Sequence, residues 1–295
     1  MQAKEKQDAA EASIIKHNRL KTRYELASRT AMGKKHSRSL DNLPRRLVNK
    51  LGPAVELIEQ GDAAEAVPTL EELEARYPKQ PIVLEALSAA YYEVGDMRSY
   101  LRTLRKLSRA TPNRPDIVLA LADAYMVNDF LALALFGFRK FLKRWPQHEE
   151  VEKVNKIIVE LEEALREMMP EGDLEFEENL DFVRLHEEAQ VCLNLGELQR
   201  AKSILRKLQR QKPDFPPLLN NLSQIYWMEG DMERALESTQ EVLDIEPDNI
   251  HALGNRIRFL YLAGRQAEAA PLVERLKASQ ATASDRWKKI AETLA

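Results

Sequence analysis

Few side chains in this sequence stand where they could do covalent chemistry. The five histidines, His17, His36, His148, His186 and His251, do not fall at the short spacings by which histidines grip zinc. Cys192 is the single cysteine, so neither an intrachain disulfide nor a cysteine zinc cluster can form. It is expected as a buried thiol rather than a nucleophile. Asp173, Glu175 and Glu177 alternate as calcium ligands can. That chemistry also wants a glycine at the sharp turn and a distant bidentate glutamate, so a solvated loop is expected. No nucleophile, base and orienting group come together, and the expectation is a protein that is not an enzyme and holds no cofactor or metal. What remains is the chemistry of binding: carboxamides, aromatic rings and arginines, spaced along helices.

The elements that carry them repeat. Leu218 to Pro247, LLNNLSQIYWMEGDMERALESTQEVLDIEP, reads as two amphipathic helices joined at Gly230. The turn column is Gly61, Gly95, Asp129, then Gly196, Gly230, Gly264, with 34 residues between members of each trio. A tight turn between antiparallel helices needs a left-handed residue; glycine adopts that conformation freely and aspartate tolerates it. Asp62, Asp96, Glu197 and Asp231 follow the turns as acceptors or negative charges at the start of the second helix.

Seven residues before each turn stand Ala54, Ser88, Ala122, Ala189, Ser223 and Ile257. Five after it stand Ala66, Tyr100, Ala134, Ala201, Ala235 and Ala269. Small residues there let helices approach, while Leu57, Tyr91, Tyr125, Cys192, Tyr226 and Leu260, four before the turn, fill the seam. Tyr100 and Ile257 are large for their columns, and Gly52-Pro53 interrupts the first helix of the first unit. Pro78, Pro112, Pro146, Pro213 and Pro247, seventeen after the turn, stop one unit before the next begins.

This pattern resembles the tetratricopeptide repeat, whose period is 34 residues. Six units match over about residues 47–281. The resemblance implies an all-α fold: a right-handed α-solenoid of helix hairpins, six repeats in two blocks of three. The expected organisation is a basic helical N-terminal extension (1–46), a first block (47–147), a long connecting helix and acidic loop (148–181), a second block (182–281) and a C-terminal capping helix (282–295). In the extension, Asp41 or Asn42 is the expected cap of the helix that follows, with Pro44 in its first turn. The connecting helix, 149–169, carries a stripe of Val151, Val154, Ile158, Leu161 and Leu165.

Charge is uneven. Residues 1–50 hold 13 Lys/Arg against 5 Asp/Glu, whereas 149–181 hold 3 against 13. No secretory signal or membrane-length apolar run is visible, so a soluble cytoplasmic protein with no membrane partner is expected.

In such arrays the first helix of each unit lines a groove suited to an extended peptide or a partner helix, as the resemblance implies. Helical geometry places His186, Gln190, Leu193 and Asn194, then Asn220, Gln224, Trp227 and Met228, then Gly254, Arg258, Tyr261 and Leu262 on that face, with Asn221 and Asn255 flanking it. Carboxamides can bond a peptide main chain whatever its sequence, and Trp, Tyr and Arg are common interface anchors. Trp227 suits either core or ligand contact. In the first block the corresponding residues are Glu85, Ala89, Tyr92 and Glu93, then Leu119, Asp123, Met126 and Val127, with Asp116 nearby; this groove reads as more acidic. The Lys/Arg/Asn clamp by which some members hold a terminal carboxylate is missing from the first block, where Leu51, Val55, Ala86, Asp116 and Ala120 occupy its places. The expected function is a non-catalytic adaptor or scaffold that binds a protein or extended peptide. Two alternatives stay open: a nucleic-acid-associated regulator using the basic N-terminal arm, and the recognition module of a larger enzyme assembly.

Overall fold

Left-handed residues punctuate a chain that is otherwise helical. The computed structural model describes residues 44–168 and 176–278. Among the described residues there are thirteen α-helices and no strand. The expected N-terminal extension up to residue 43, the loop residues 169–175 and the C-terminal capping helix lie outside the described residues. The chain divides into two units between Glu167 and Met168.

The first unit holds α1 (Arg45–Gln60), α2 (Ala63–Arg76), α3 (Pro81–Glu93), α4 (Met97–Ala110), α5 (Pro115–Val127), α6 (Leu131–Arg144) and α7 (Val151–Met168). The second holds α8 (Phe176–Asn194), α9 (Leu198–Gln209), α10 (Pro216–Met228), α11 (Met232–Ile245), α12 (Ile250–Leu262) and α13 (Gln266–Ala278). Apart from α7, the helices pair as hairpins, and the second helix of a hairpin packs on the first helix of the next within each unit.

All six turn residues have positive φ, from 60° at Asp129 to 92° at Gly61. The small columns on either side of the turns are buried, and Tyr100 is buried too, its ring 5.3 Å from Tyr92. One close approach is between α5 and α6: a Cβ added to Gly137 would lie 2.8 Å from the Ala122 Cβ.

The tyrosines four before the turns stitch neighbouring hairpins together. Tyr91 donates from its hydroxyl to Glu71 at 2.6 Å, and the buried Arg105 donates to the Tyr125 hydroxyl at 2.7 Å. Each bond spans 20 residues, from a first helix back to the preceding second helix. Burial, with Glu71 next, raises the Tyr91 phenol well above its ordinary range. Tyr226 instead lies beneath the cations of Lys202 and Arg234.

Several expectations need correcting. Pro44 occupies the cap position of α1 rather than its first turn. That helix runs unbroken through Gly52-Pro53. Asp96 and Asp231 cap their helices through the amides of Ser99 and Arg234, but Asp62 and Glu197 make no cap bond. The prolines seventeen after the turns sit in the connections, and α3, α5 and α10 begin three residues later on Pro81, Pro115 and Pro216. Proline suits that position because a first-turn amide has no helical partner to lose. Residues 176–179, expected within the acidic loop, already belong to α8. On α7, Val154, Leu161 and Leu165 are buried, while Val151 and Ile158 are half-buried.

The Gly137 contact gives a direct test of the packing. Gly137→Ala is expected to cost about 1–3 kcal/mol by overpacking, measured by urea unfolding. Adding Ala122→Gly to that background should return part of the loss, because it removes the opposing methyl.

Candidate binding face

In the second unit the first helices α8, α10 and α12 touch in sequence, and between α8 and α10 the residues ten and nine before their turns meet. His186 of α8 pairs with Asn221 of α10: the Asn221 Nδ2 lies 3.0 Å from the His186 Nε2. Asn220 and Asn255 are the same two repeat positions one hairpin further along. Asn220 donates through Nδ2 to Asn249 Oδ1 at 3.3 Å, and that oxygen also accepts the Ala252 amide at the start of α12. The Asn220 Oδ1 and the Asn255 Nδ2 are buried without a hydrogen-bond partner. Asn220 is 6% exposed and Asn255 2%, so α10 holds one orphan acceptor and α12 one orphan donor.

The structure corrects the open face read from helical geometry. Asn220, Asn221, Asn255, Leu193 and Gly254 are buried, because the touching first helices cover these positions. Gln190, Gln224, Arg258 and Tyr261 are half-buried, and Asn194 is exposed. Trp227 is half-buried. Its ring stacks on Phe259 at 5.9 Å and lies under the Arg258 guanidinium at 4.5 Å, and it packs against the core of α10–α13. It serves both packing and surface. Beyond it Met228 is 48% and Leu262 60% exposed, at equivalent places in successive units.

His186 is held by its surroundings. Its ring meets Phe215 edge-on at 5.8 Å. Burial pushes the imidazole below its ordinary value of 6.5, partly offset by the backbone of Pro217.

The first unit is arranged differently. Glu85 and Asp116, expected to make an acidic groove, both pair with Arg114. Sequence reasoning passed over Arg114, although its place two residues before Asp116 was a signal. Asp123 is half-buried. Burial pushes its carboxyl up to about 7, with Glu150 reinforcing and Lys153 opposing. Tyr92 and Met126 are half-buried beside these groups. Asn249, Phe215 and Phe259, partners on the second face, were also missed, since their roles depend on contacts between hairpins.

Cys192 is fully buried, with its Sγ turned to the carboxylates of Glu188 and Glu197. His148 lies edge-on to Phe141. Asp173 and Glu175 lie outside the described residues, as do His17 and His36. Among the described residues no group of three His, Cys, Asp or Glu side chains is placed to hold a metal ion, and no helix is long and apolar enough to cross a membrane.

Paired helices, left-handed turns and nearest-neighbour packing define the class as a helical-hairpin repeat protein. Two family models, both described as Tetratricopeptide repeat, match residues 186–250 and 226–292. The TPR repeat-containing protein YvcD of Bacillus subtilis (strain 168) is 24% identical over 172 residues, which are 57% of this chain and 35% of that protein. The matched part therefore spans about a third of that relative. Residues 186–292 thus carry tetratricopeptide repeats. Among solved structures, the P58(IPK) TPR domain is similar at 15% identity and a TM-score of 0.40, covering 85% of this chain and 65% of that one. A tetratricopeptide repeat protein from Parabacteroides merdae is similar at 14% and 0.35, covering 85% and 99%.

The His186 environment makes stability depend on pH. The folded chain binds this proton less tightly than the unfolded chain does. The stability that neutral His186 contributes is therefore full above about pH 6.5 and is lost as pH falls from there towards the depressed folded value. Urea unfolding over that range is expected to show the loss in the parent chain and to show less of it in His186→Gln.

Proposed function

We propose that this chain is a non-catalytic adaptor whose second unit captures an extended peptide segment on the face formed by α8, α10 and α12. Tetratricopeptide repeats generally mediate contacts between proteins, and the side chains of this face suit that use. The observation that carries the reading is a buried acceptor on Asn220 of α10 and a buried donor on Asn255 of α12, each without a hydrogen-bond partner. A peptide unit carries the complementary N–H and C=O. Leaving such groups unmet costs about 1–3 kcal/mol each, and a bound main chain that draws the two side chains outward would recover it. Main-chain bonding supplies affinity without sequence, while Trp227, Met228, Tyr261 and Leu262 offer apolar contact to alternate side chains of the peptide.

The test begins with peptides selected from a displayed library against the whole chain. Asn255→Leu, close to isosteric, is expected to weaken the selected peptides about tenfold or more by calorimetry. It should leave the melting temperature unchanged or raised, because it removes an unpaired buried amide. Full affinity in that variant, or a lowered melting temperature, would contradict the assignment.

A further inference from the structure

The helices α4 and α6 together carry nine Lys/Arg and no Asp/Glu. Their exposed faces are in register. Arg102, Lys106 and Arg109 stand seven, eleven and fourteen residues after the turn at Gly95. Phe136, Lys140 and Lys143 stand at the same distances after Asp129. These offsets share one side of a helix. Lys106 pairs with Glu74, and Arg102 lies near Asp96. Arg109, Lys140 and Lys143 are exposed and make no ion pair among the described residues. Phe136 is 51% exposed within this basic field. Beside it opens an apolar cavity of about 140 Å³, lined by Leu121, Leu133, Phe136 and Lys140 among others. That is far smaller than a ligand pocket for a drug-sized molecule, but close to the volume that takes one benzene-sized apolar group.

The complementary surface lies on the second unit. On α11 the same three offsets after Gly230 are Glu237, Glu241 and Asp244. All three are exposed. Asp244 accepts from Gln240 on its own helix, and Arg256 lies within its electrostatic reach. Partial burial raises the Glu241 carboxyl, with Glu237, Asp214 and Asp244 adding to the shift as like charges. One turn beyond Glu241 stands Ile245, 45% exposed at the end of the helix. An apolar side chain next to the carboxylates of Glu241 and Asp244 matches an apolar cavity edged by Lys140.

We propose that the basic face of α4 and α6 docks the acidic face of α11 from a second copy of this chain, with Ile245 entering the cavity beside Phe136. Each copy carries one of each face, so the contact is head-to-tail. Such an interface joins unlike surfaces of two copies. Opposed fields of this kind speed encounter and fix register, and their attraction weakens as salt shortens the screening length. This contact uses second helices and leaves the face of α8, α10 and α12 untouched, so it stands or falls separately from peptide capture.

Sedimentation velocity of the whole chain tests it. The parent is expected to shift to larger species as concentration rises at low salt, and to return to monomer at high salt. The variants Lys140→Glu/Lys143→Glu and Glu237→Lys/Glu241→Lys should each stay monomeric alone, with parental melting curves. Mixed in equal amounts they should pair, because each supplies the face that the other has lost. Ile245→Ser should weaken association without changing the charge of either face. A parent that stays monomeric at low salt, a charge variant that associates as the parent does, or a mixture that stays monomeric would overturn the proposal, the first of these included where an unrelated acidic peptide binds the basic face instead.

Discussion

Everything in this molecule depends on how closely two helices can approach when each presents a small residue at the crossing. Ala122 and Gly137 show it, where one added methyl would meet another at 2.8 Å. Close approach brings Leu, Phe and Ile side chains into contact with the next hairpin, and that contact buries what a single hairpin cannot. The left-handed turn is the second half of the same constraint. It reverses the chain within two or three residues, so that the two helices meet at the small columns and not elsewhere.

The polar chemistry follows from that packing. Because first helices touch along one side, the positions nine and ten before the turn are drawn under cover. Nature of the side chain then decides the outcome. His186 and Asn221 satisfy each other, whereas Asn220 and Asn255 leave two atoms unmet. In the first unit the same side holds carboxylates, and Arg114 answers two of them. Second helices have the opposite problem: their far sides remain in water, and the charges there are free to differ from hairpin to hairpin. On α4 and α6 they are positive, and on α11 mostly negative.

Much of the fold was legible in the sequence because its signals are local. A glycine or aspartate every 34 residues, flanked by small residues at fixed offsets, names the hairpin without reference to any distant part of the chain. Even Asp129 could be read, since few residue types tolerate a φ of 60°. The binding face was less legible. Periodicity within one helix tells which residues share a side, but not how deeply the neighbouring helix covers that side. Asn220, Asn221 and Asn255 were expected on or beside an open face and are buried for that reason. Arg114 and Asn249 belong to connections, where no helical period points to a partner.

If neighbouring hairpins hold one another up, damage in one must spread to the next. Leu219 lies on α10, 2% exposed, in a cluster that runs from α10 to α13. Hydrogen exchange of Leu219→Ala, a change of the kind that costs about 2–5 kcal/mol, measures that spread directly. Faster exchange in α12 and α13 as well as in α10 and α11 is the result expected of shared packing. Faster exchange confined to α10 and α11, with α12 and α13 protected as in the parent, would contradict it.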